Sequence, residues 1–206
     1  AQSSSQKEAF LRSWQGDSVS AFGSVFAFNQ PVEKDTVSCF CWDHKDPSQR
    51  KFIEVIVAPS FTKDALEVLQ TKKNIRLIQY DMNSSTDRQN LKIFRGSLLS
   101  QDSDKQLGLN YDWVTTETNA HLSKELLEFG LHGVRSIKSN AIVLVRQLAQ
   151  GSYQMIGAGI GQPNRKVSVA LAVEKAMENL LKEKEEQEVL GLGKSKTSHQ
   201  LLKDVV

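Results

Sequence analysis

The sequence is poor in the features that define several common classes of protein. Its 206 residues include only two cysteines and four prolines, and no apolar run is long enough to cross a membrane. The first residues, AQSSSQKEAF, lack the apolar core of a signal peptide. With 26 basic and 24 acidic residues, the net charge of +2 argues against a broad nucleic-acid-binding surface. We therefore expect neither a nucleic-acid partner nor a membrane partner.

The two cysteines, Cys39 and Cys41, are separated by a single residue. On a strand they would face the same side, but no disulfide framework or metal-ligand spacing accompanies them. Unpaired thiols are typical of a reducing compartment, which favours a cytoplasmic, cytosolic location. We expect no metal site.

What the sequence does have is an alternation of apolar and amphipathic runs. Because 39% of the residues are hydrophobic, the chain can bury a core, as one domain or as part of a larger one. Strands are predicted at 20–29, 52–58, 76–80, 91–100 and 113–116, and helices at 4–14, 34–42, after Thr62 and after Ser123. The run at 52–58 is apolar enough to be covered on both faces, and Gly96 interrupts the run at 91–100. This alternation predicts an α/β fold with a mixed sheet and flanking helices.

The most informative stretch is 138–176, KSNAIVLVRQLAQGSYQMIGAGIGQPNRKVSVALAVEKA. It predicts two strands joined by a turn at 150–152, followed by a polar cluster and a helix. The residues expected on the inward face of that helix are Val169, Val173, Ala176, Met177 and Leu180. The charged run at 182–188 continues the helical pattern as a solvated face.

Three glycines at alternate positions, Gly157, Gly159 and Gly161, lead into this helix. Such glycines let a backbone approach a ligand closely, and a helix start offers unpaired N–H groups to an anion. Arg165 and Lys166 near the start are explained if an anion is held there, because the helix dipole otherwise disfavours cations. A tight turn with two solvated basic residues explains the same pattern, so both interpretations remain open. The G-x-G-x-G spacing differs from the dinucleotide-binding G-x-G-x-x-G, and no strand follows the helix.

Several segments carry a resemblance to a known family. The segments K-S-N-A-I-V at 138–143, I-G-x-G-x-G-Q-x-x-R at 156–165 and S-V-x-L-A-V-E-K-A at 168–176 resemble the transformylase half of the AICAR transformylase/IMP cyclohydrolase family. Further segments agree in the same order: GDSVSAFG at 16–23, FIEVIVAPSF at 52–61, KKNIRL at 72–77 and RGSLLSQD at 95–102. The resemblance covers about residues 8 to 180 of the sequence.

The resemblance implies a fold built from cytidine-deaminase-like units. The zinc signature of the deaminases is absent from the sequence, so no zinc is expected. The implied reaction moves a formyl group from 10-formyltetrahydrofolate, the co-substrate, to AICAR in purine (IMP) biosynthesis. The implied partners are these two small molecules and a second copy of the enzyme, in a homodimer.

The resemblance also implies roles for single residues. Asn140 matches the asparagine that hydrogen-bonds the AICAR base or its carboxamide, and Arg165 matches an arginine that contacts the nucleotide. Gln162 and the three glycines shape the turn.

Three further positions are implied less directly. Lys166 stands where the family has a folate-pocket residue, often Val or Ile. Ser24 stands where some members carry a nucleotide-binding aspartate and others a glycine. Lys138 precedes Ser139-Asn140 as in many members, and it is either a candidate catalytic residue or a surface lysine.

Formyl transfer needs a base for the attacking amine and a donor that stabilises the oxyanion. In the family, a Lys-His pair in a K-H-x-x-P-x-G motif has these roles, and that motif is absent from this sequence. We expect a partial transformylase domain at 1–185, a charged, flexible tail at 186–206, and no activity in the chain alone. The alternative is a non-catalytic nucleotide-binding or dimerisation module derived from the same fold.

Other candidate residues are weaker. The histidines at 44, 121, 132 and 199 are expected to be surface residues, with His132 the nearest in sequence to Lys138. The segment GLGKS at 191–195 is similar to a phosphate-binding loop, but it lacks the first glycine and a preceding strand. A flexible loop is the favoured interpretation.

Overall fold

The computed structural model describes residues 1–81, 89–103, 112, 114, 116 and 122–189, with side chains as far as 185 in the last helix. Of the predicted strand at 113–116 only residues 114 and 116 are described, and His121, His199 and the GLGKS segment lie outside the described residues. The helices are α1 (Gln6–Gln15), α2 (Lys34–Ser38), α3 (Lys63–Leu69), α4 (Lys124–Arg135) and α5 (Arg165–Val189). The strands are β1 (Ser24–Ala27), β2 (Ile53–Ala58), β3 (Arg76–Gln79), β4 (Gln89–Phe94), β5 (Ser97–Asp102), β6 (Ile142–Ala149) and β7 (Ser152–Gly159).

These strands form a parallel sheet in the order β1-β2-β3 and two antiparallel hairpins, β4–β5 and β6–β7. The predicted α/β class with both kinds of strand pairing is confirmed. The predicted boundary at residue 185 falls inside α5, which continues to Val189. No helix within the described residues is long and apolar enough to span a membrane.

Helices α1, α2 and α3 pack with the parallel sheet around one apolar core. Phe10 of α1 lies at the centre, with its ring centroid 4.9 Å from that of Phe40 and 5.0 Å from that of Phe26. The predicted cap of α3 is confirmed, since the Thr62 hydroxyl accepts a hydrogen bond from the N–H of Ala65 at 3.4 Å. The sequence pattern therefore predicted the helices and strands of this core, although the helix expected at 34–42 ends at Ser38.

Two strand predictions in this layer are wrong in detail. The expected buried strand at 20–29 is only Ser24–Ala27, and Phe22 before it is 71% exposed. A turn closed by a hydrogen bond from the Ala21 N–H to the Asp17 carbonyl takes up the preceding residues. β2 is not fully covered on both faces, because Val55 and Val57 on one face are only partly buried, whereas Ile56 and Ala58 on the other are buried.

The predicted strand at 91–100 is a hairpin. Its two central residues, Arg95 and Gly96, have φ angles of 47° and 80°, as a two-residue hairpin turn of the right twist requires. Phe94 pairs with Ser97 across this turn, and every residue of both strands is exposed. The expected interruption at Gly96 is therefore a chain reversal, because Arg95 and Gly96 both have positive φ.

The second hairpin, β6–β7, lies between two helices. On one side, Leu126 of α4 packs with Val145 and Tyr153. On the other side, Ile156 packs with Ala176 and Leu180 of α5. The two faces of the hairpin thus pack into two different apolar clusters, because successive side chains of a strand point to opposite faces.

The face that α5 buries differs from the predicted one. Its buried residues recur every fourth position, at Ser168, Ala172, Ala176 and Leu180. The prediction was right for Ala176 and Leu180 but wrong for Val169 and Val173, which are 45% and 39% exposed. Small side chains occupy the interface because the helix backbone lies directly against β7.

Polar contacts join α5 to the rest of the fold. The Asn179 amide donates to the carbonyls of Gly16 and Ile156, both at 2.7 Å. The Lys175 ammonium lies 2.9 Å from the Asp17 carboxylate. Burial alone would raise the pKa of Asp17, but hydrogen bonds from Lys175 and Ser20 outweigh burial and lower that pKa. The helix is therefore tied to the end of α1 as well as to its own hairpin.

Candidate functional site

The start of α5 is a capped helix end that carries two cations. The Asn164 side-chain oxygen accepts a hydrogen bond from the Val167 N–H at 3.0 Å, which makes Asn164 the cap. Arg165 and Lys166 follow as the first two helical residues, and both are exposed. Neither forms a salt bridge with any residue that the structure describes. Their backbone N–H groups are among the first donors of the helix, which have no partner within it.

The loop before β6 is held against this helix start by backbone hydrogen bonds. The Gly161 N–H donates to the Lys138 carbonyl at 2.8 Å, and the Gln162 N–H donates to the Asn140 carbonyl at 3.2 Å. The buried hydroxyl of Ser168 donates to the same Asn140 carbonyl at 2.9 Å. The peptide bond between Ser139 and Asn140 is cis. Two loops and one helix end thus form a single junction, which we call the α5 junction (residues 138–140 and 160–168).

Asn140 is the centre of the α5 junction. Its side-chain NH₂ donates to the carbonyls of Gln162 at 3.1 Å and Pro163 at 3.3 Å. Its side-chain oxygen has no hydrogen bond to any described residue, so that oxygen remains free to accept one from a ligand. Asn140 therefore both fixes the second loop and offers an acceptor.

The three glycines of the sequence pattern have two different roles. A Cβ on Gly157 or Gly159 would collide with the carbonyl oxygen of Ala172 or Ser168, respectively. These two glycines therefore let α5 pack onto β7, which explains the absence of a side chain at both positions without a ligand. Gly161 belongs to the junction. Its φ of 66° favours glycine, although a Cβ there would meet only the Lys138 side chain, at an ordinary distance of 3.8 Å. Beside it, the Gln162 amide donates to the Ile160 carbonyl at 2.9 Å and closes the turn.

Ser24 lies apart from the α5 junction. It begins β1 in the parallel sheet, and no hydrogen bond within the described ranges joins it to the junction. Its hydroxyl oxygen is buried and has no hydrogen-bond partner among the described residues. A buried, unpaired hydroxyl costs free energy, and a ligand or another segment that bonded it would recover that cost.

The structure places the candidate proton-transfer residues at the surface. Lys138 is exposed, and only its backbone carbonyl is engaged in the junction. His132 is exposed in the last turn of α4, and His44 is exposed in a loop where its ring contacts the Asp46 backbone. Within the part of the chain that is described, no group of three His, Cys, Asp or Glu residues could hold a metal ion.

Two residues of the junction were not predicted to have these roles. Asn164 was included only in the polar cluster, although an asparagine directly before a helix is a common cap and could have been identified. Ser168 gave no signal, because a serine in the first turns of a helix is usually exposed. The junction as a whole offers two cations, helix N–H donors and an amide oxygen, a combination suited to a ligand with an anionic group and a polar ring substituent.

Comparisons with known proteins agree with the sequence resemblance. Residues 1–175 match the model of the AICARFT/IMPCHase bienzyme family. The bifunctional purine biosynthesis protein PurH of Staphylococcus carnosus is 38% identical over 178 residues, which cover 85% of this chain and 33% of that protein. The PurH protein of Prochlorococcus marinus is 37% identical over 178 residues, which cover 84% of this chain and 32% of that protein. The PurH protein of Brachyspira hyodysenteriae is 37% identical over 173 residues, which cover 84% of this chain and 31% of that protein.

The chain therefore spans about a third of the length of the curated relatives that it matches. The family match covers most of the chain, and it includes the whole α5 junction. On this evidence the chain belongs to the AICARFT/IMPCHase bienzyme family.

Proposed function

We propose that this chain is part of an AICAR transformylase and that the α5 junction contributes to its nucleotide site. In the proposed reaction, a formyl group passes from 10-formyltetrahydrofolate to the 5-amino group of AICAR during IMP biosynthesis, in the cytosol. The observation that carries the proposal is the meeting of Asn140 and Arg165 at one junction, although they are far apart in sequence.

The two residues would recognise different parts of the nucleotide. The free side-chain oxygen of Asn140 can accept a hydrogen bond from the carboxamide N–H of AICAR. The guanidinium of Arg165, exposed and without a salt bridge among the described residues, can bind the anionic part of the nucleotide by two parallel hydrogen bonds. Since Gln162 and Gly161 hold the Asn140 loop in place, they would position these groups without touching the reacting atoms.

Three residues have secondary parts in the proposal. Lys166, next to Arg165, would line the pocket of the folate co-substrate, with an ammonium where an apolar residue is usual. Ser24 would offer its unpaired hydroxyl to the nucleotide. Lys138 is the candidate for proton transfer within this chain, but its exposure favours a binding role. Because the K-H-x-x-P-x-G motif is absent, this chain would supply recognition rather than proton transfer.

The alternative, a non-catalytic nucleotide-binding or dimerisation module, is favoured by apolar surface beside the junction. Val169, Leu171 and Val173 are 45%, 37% and 39% exposed on α5. Val169 and Val173 are four residues apart and share one face of the helix, and in a homodimer that face would be covered by the second copy. Sedimentation of the chain as a monomer at every concentration would argue against the homodimer.

A nuclear magnetic resonance titration with AICAR tests where the nucleotide binds. We expect the largest shifts at the side-chain amide of Asn140 and at the backbone amides of Gly161 and Arg165. The backbone amides of Lys63 and Leu69 in α3 serve as an internal reference that stays unchanged. Shifts that spare the junction and concentrate elsewhere would show that the α5 junction is not the nucleotide site.

A further inference from the structure

A cavity of about 210 Å³ lies between α1, the β6–β7 hairpin and the C-terminal half of α5. The residues of its wall that matter here are Trp14, Ser18, Gln49, Lys51, Arg146 and Lys182. Asn179 also lines it, fourteen residues beyond Arg165, and the rise of an α-helix separates the two positions by about 21 Å. The cavity is therefore separate from the α5 junction.

Two guanidinium groups share one carboxylate at this cavity. Arg146, whose side chain is 11% exposed, donates to Glu183 at 2.5 Å and to the Gln154 side-chain oxygen at 2.8 Å. Arg12 donates to the other oxygen of Glu183 at 2.9 Å. Arg12 also lies 4.0 Å from the Glu8 carboxylate, so these two arginines are balanced by two carboxylates.

The excess of positive charge at the cavity comes from two lysines, Lys51 and Lys182. The Lys51 ammonium lies 5.6 Å from the centroid of the Trp14 ring, and no carboxylate of a described residue lies within salt-bridge distance of it. Lys182 likewise has no salt bridge in the described ranges. Ser18 and Gln49 line the same cavity, and their side chains form no hydrogen bond with another described residue. The wall thus presents ammonium, guanidinium, hydroxyl and amide donors together.

We propose that this cavity binds a small oxyanion of phosphate size. Sites for drug-sized ligands usually have volumes of about 300 to 1,000 Å³, so a cavity of 210 Å³ is too small for a whole nucleotide. A tetrahedral oxyanion accepts hydrogen bonds on every side and carries the charge that the wall lacks. The occupant is either free phosphate or the phosphate group of a small metabolite whose remainder stays in solvent.

The test is a calorimetric titration of the full chain with inorganic phosphate at fixed ionic strength. Wild-type protein and the Lys63→Gln variant, which removes an exposed lysine of α3, are expected to bind phosphate saturably. Lys51→Gln is expected to weaken binding at least about tenfold, because a charge-assisted contact is lost. If circular dichroism shows that Lys51→Gln is unfolded, Lys182→Gln takes its place, with the same direction expected.

A parallel titration with ribose 5-phosphate distinguishes the two sources. Tighter binding of inorganic phosphate supports the free ion, and tighter binding of the ester supports the phosphate group of a metabolite. No saturable binding of either compound to the wild type would overturn the proposal. The proposal would also be overturned if the cavity variant, Lys51→Gln or Lys182→Gln in its place, bound phosphate with the same affinity as Lys63→Gln. Because phosphate and ribose 5-phosphate could also bind at Arg165, an Arg165→Ala variant is titrated beside the wild type, and unchanged phosphate binding in that variant separates this cavity from the proposed nucleotide site.

Discussion

Substitution of Gly159 by alanine is expected to lower the free energy of unfolding by about 3 kcal/mol, because an extra methyl group in a packed interface forces the backbone apart. The new Cβ would collide with the carbonyl oxygen of Ser168 in α5. Backbone cannot rotate away as the end of a flexible side chain can, so either α5 or β7 must move. A domain of this size is stable by only about 5 to 15 kcal/mol, so the loss is a large fraction of the total.

Gly133→Ala is the matched control for this change. Gly133 lies in α4, and a Cβ there would meet the Met155 sulfur at 3.7 Å, an ordinary van der Waals distance. Alanine is a better helix former than glycine, so this variant should gain about 0.5 to 1 kcal/mol. Urea unfolding followed by circular dichroism measures both variants. Equal stabilities of Gly159→Ala and the wild type would show that α5 does not lie directly against β7.

The different outcomes for the glycines show what the sequence could and could not predict. The strand, turn and helix order of 138–176 was predictable from periodicity and turn residues, and the structure confirms it. Which glycines pack against a helix and which permit a turn was not predictable. A Cβ on Gly159 would collide with α5, whereas Gly161 is favoured by its φ of 66°, and the sequence pattern is the same for both.

The prediction of the buried face of α5 was wrong for a similar reason, because it too depends on tertiary packing. Periodicity favours large apolar residues such as Val169 and Val173 as the buried ones. In the structure, the closest approach to β7 admits only small side chains, so Ser168 and Ala172 are buried instead. The exposed side chains of Val169 and Val173 remain available for contacts outside the described fold.

Part of the candidate site was predictable from single residues. Asn140, Gln162 and Arg165 were identified from the resemblance, and the structure brings them to one junction. Ser24 was identified in the same way, yet it lies in the parallel sheet without a hydrogen bond to that junction among the described residues. A resemblance gives the identity of a residue, whereas its relation to the others depends on tertiary contacts.

Arg165→Ala is expected to weaken AICAR binding by about tenfold to a hundredfold, the usual value of a lost hydrogen bond to a charged group. The Arg165 side chain is exposed, and it forms no hydrogen bond or salt bridge with a described residue. Its removal should therefore leave the fold intact. Arg76→Ala is the control, because it removes an arginine of β3 that is 69% exposed and contacts Glu54 at 3.9 Å.

The measurement that tests the central claim most directly is calorimetric titration of AICAR into the wild-type chain, with Arg165→Ala and Arg76→Ala beside it. The account predicts saturable binding to the wild type and to Arg76→Ala, and much weaker binding to Arg165→Ala. Absence of binding to the wild type, or equal affinities in all three proteins, would contradict a nucleotide site at the start of α5.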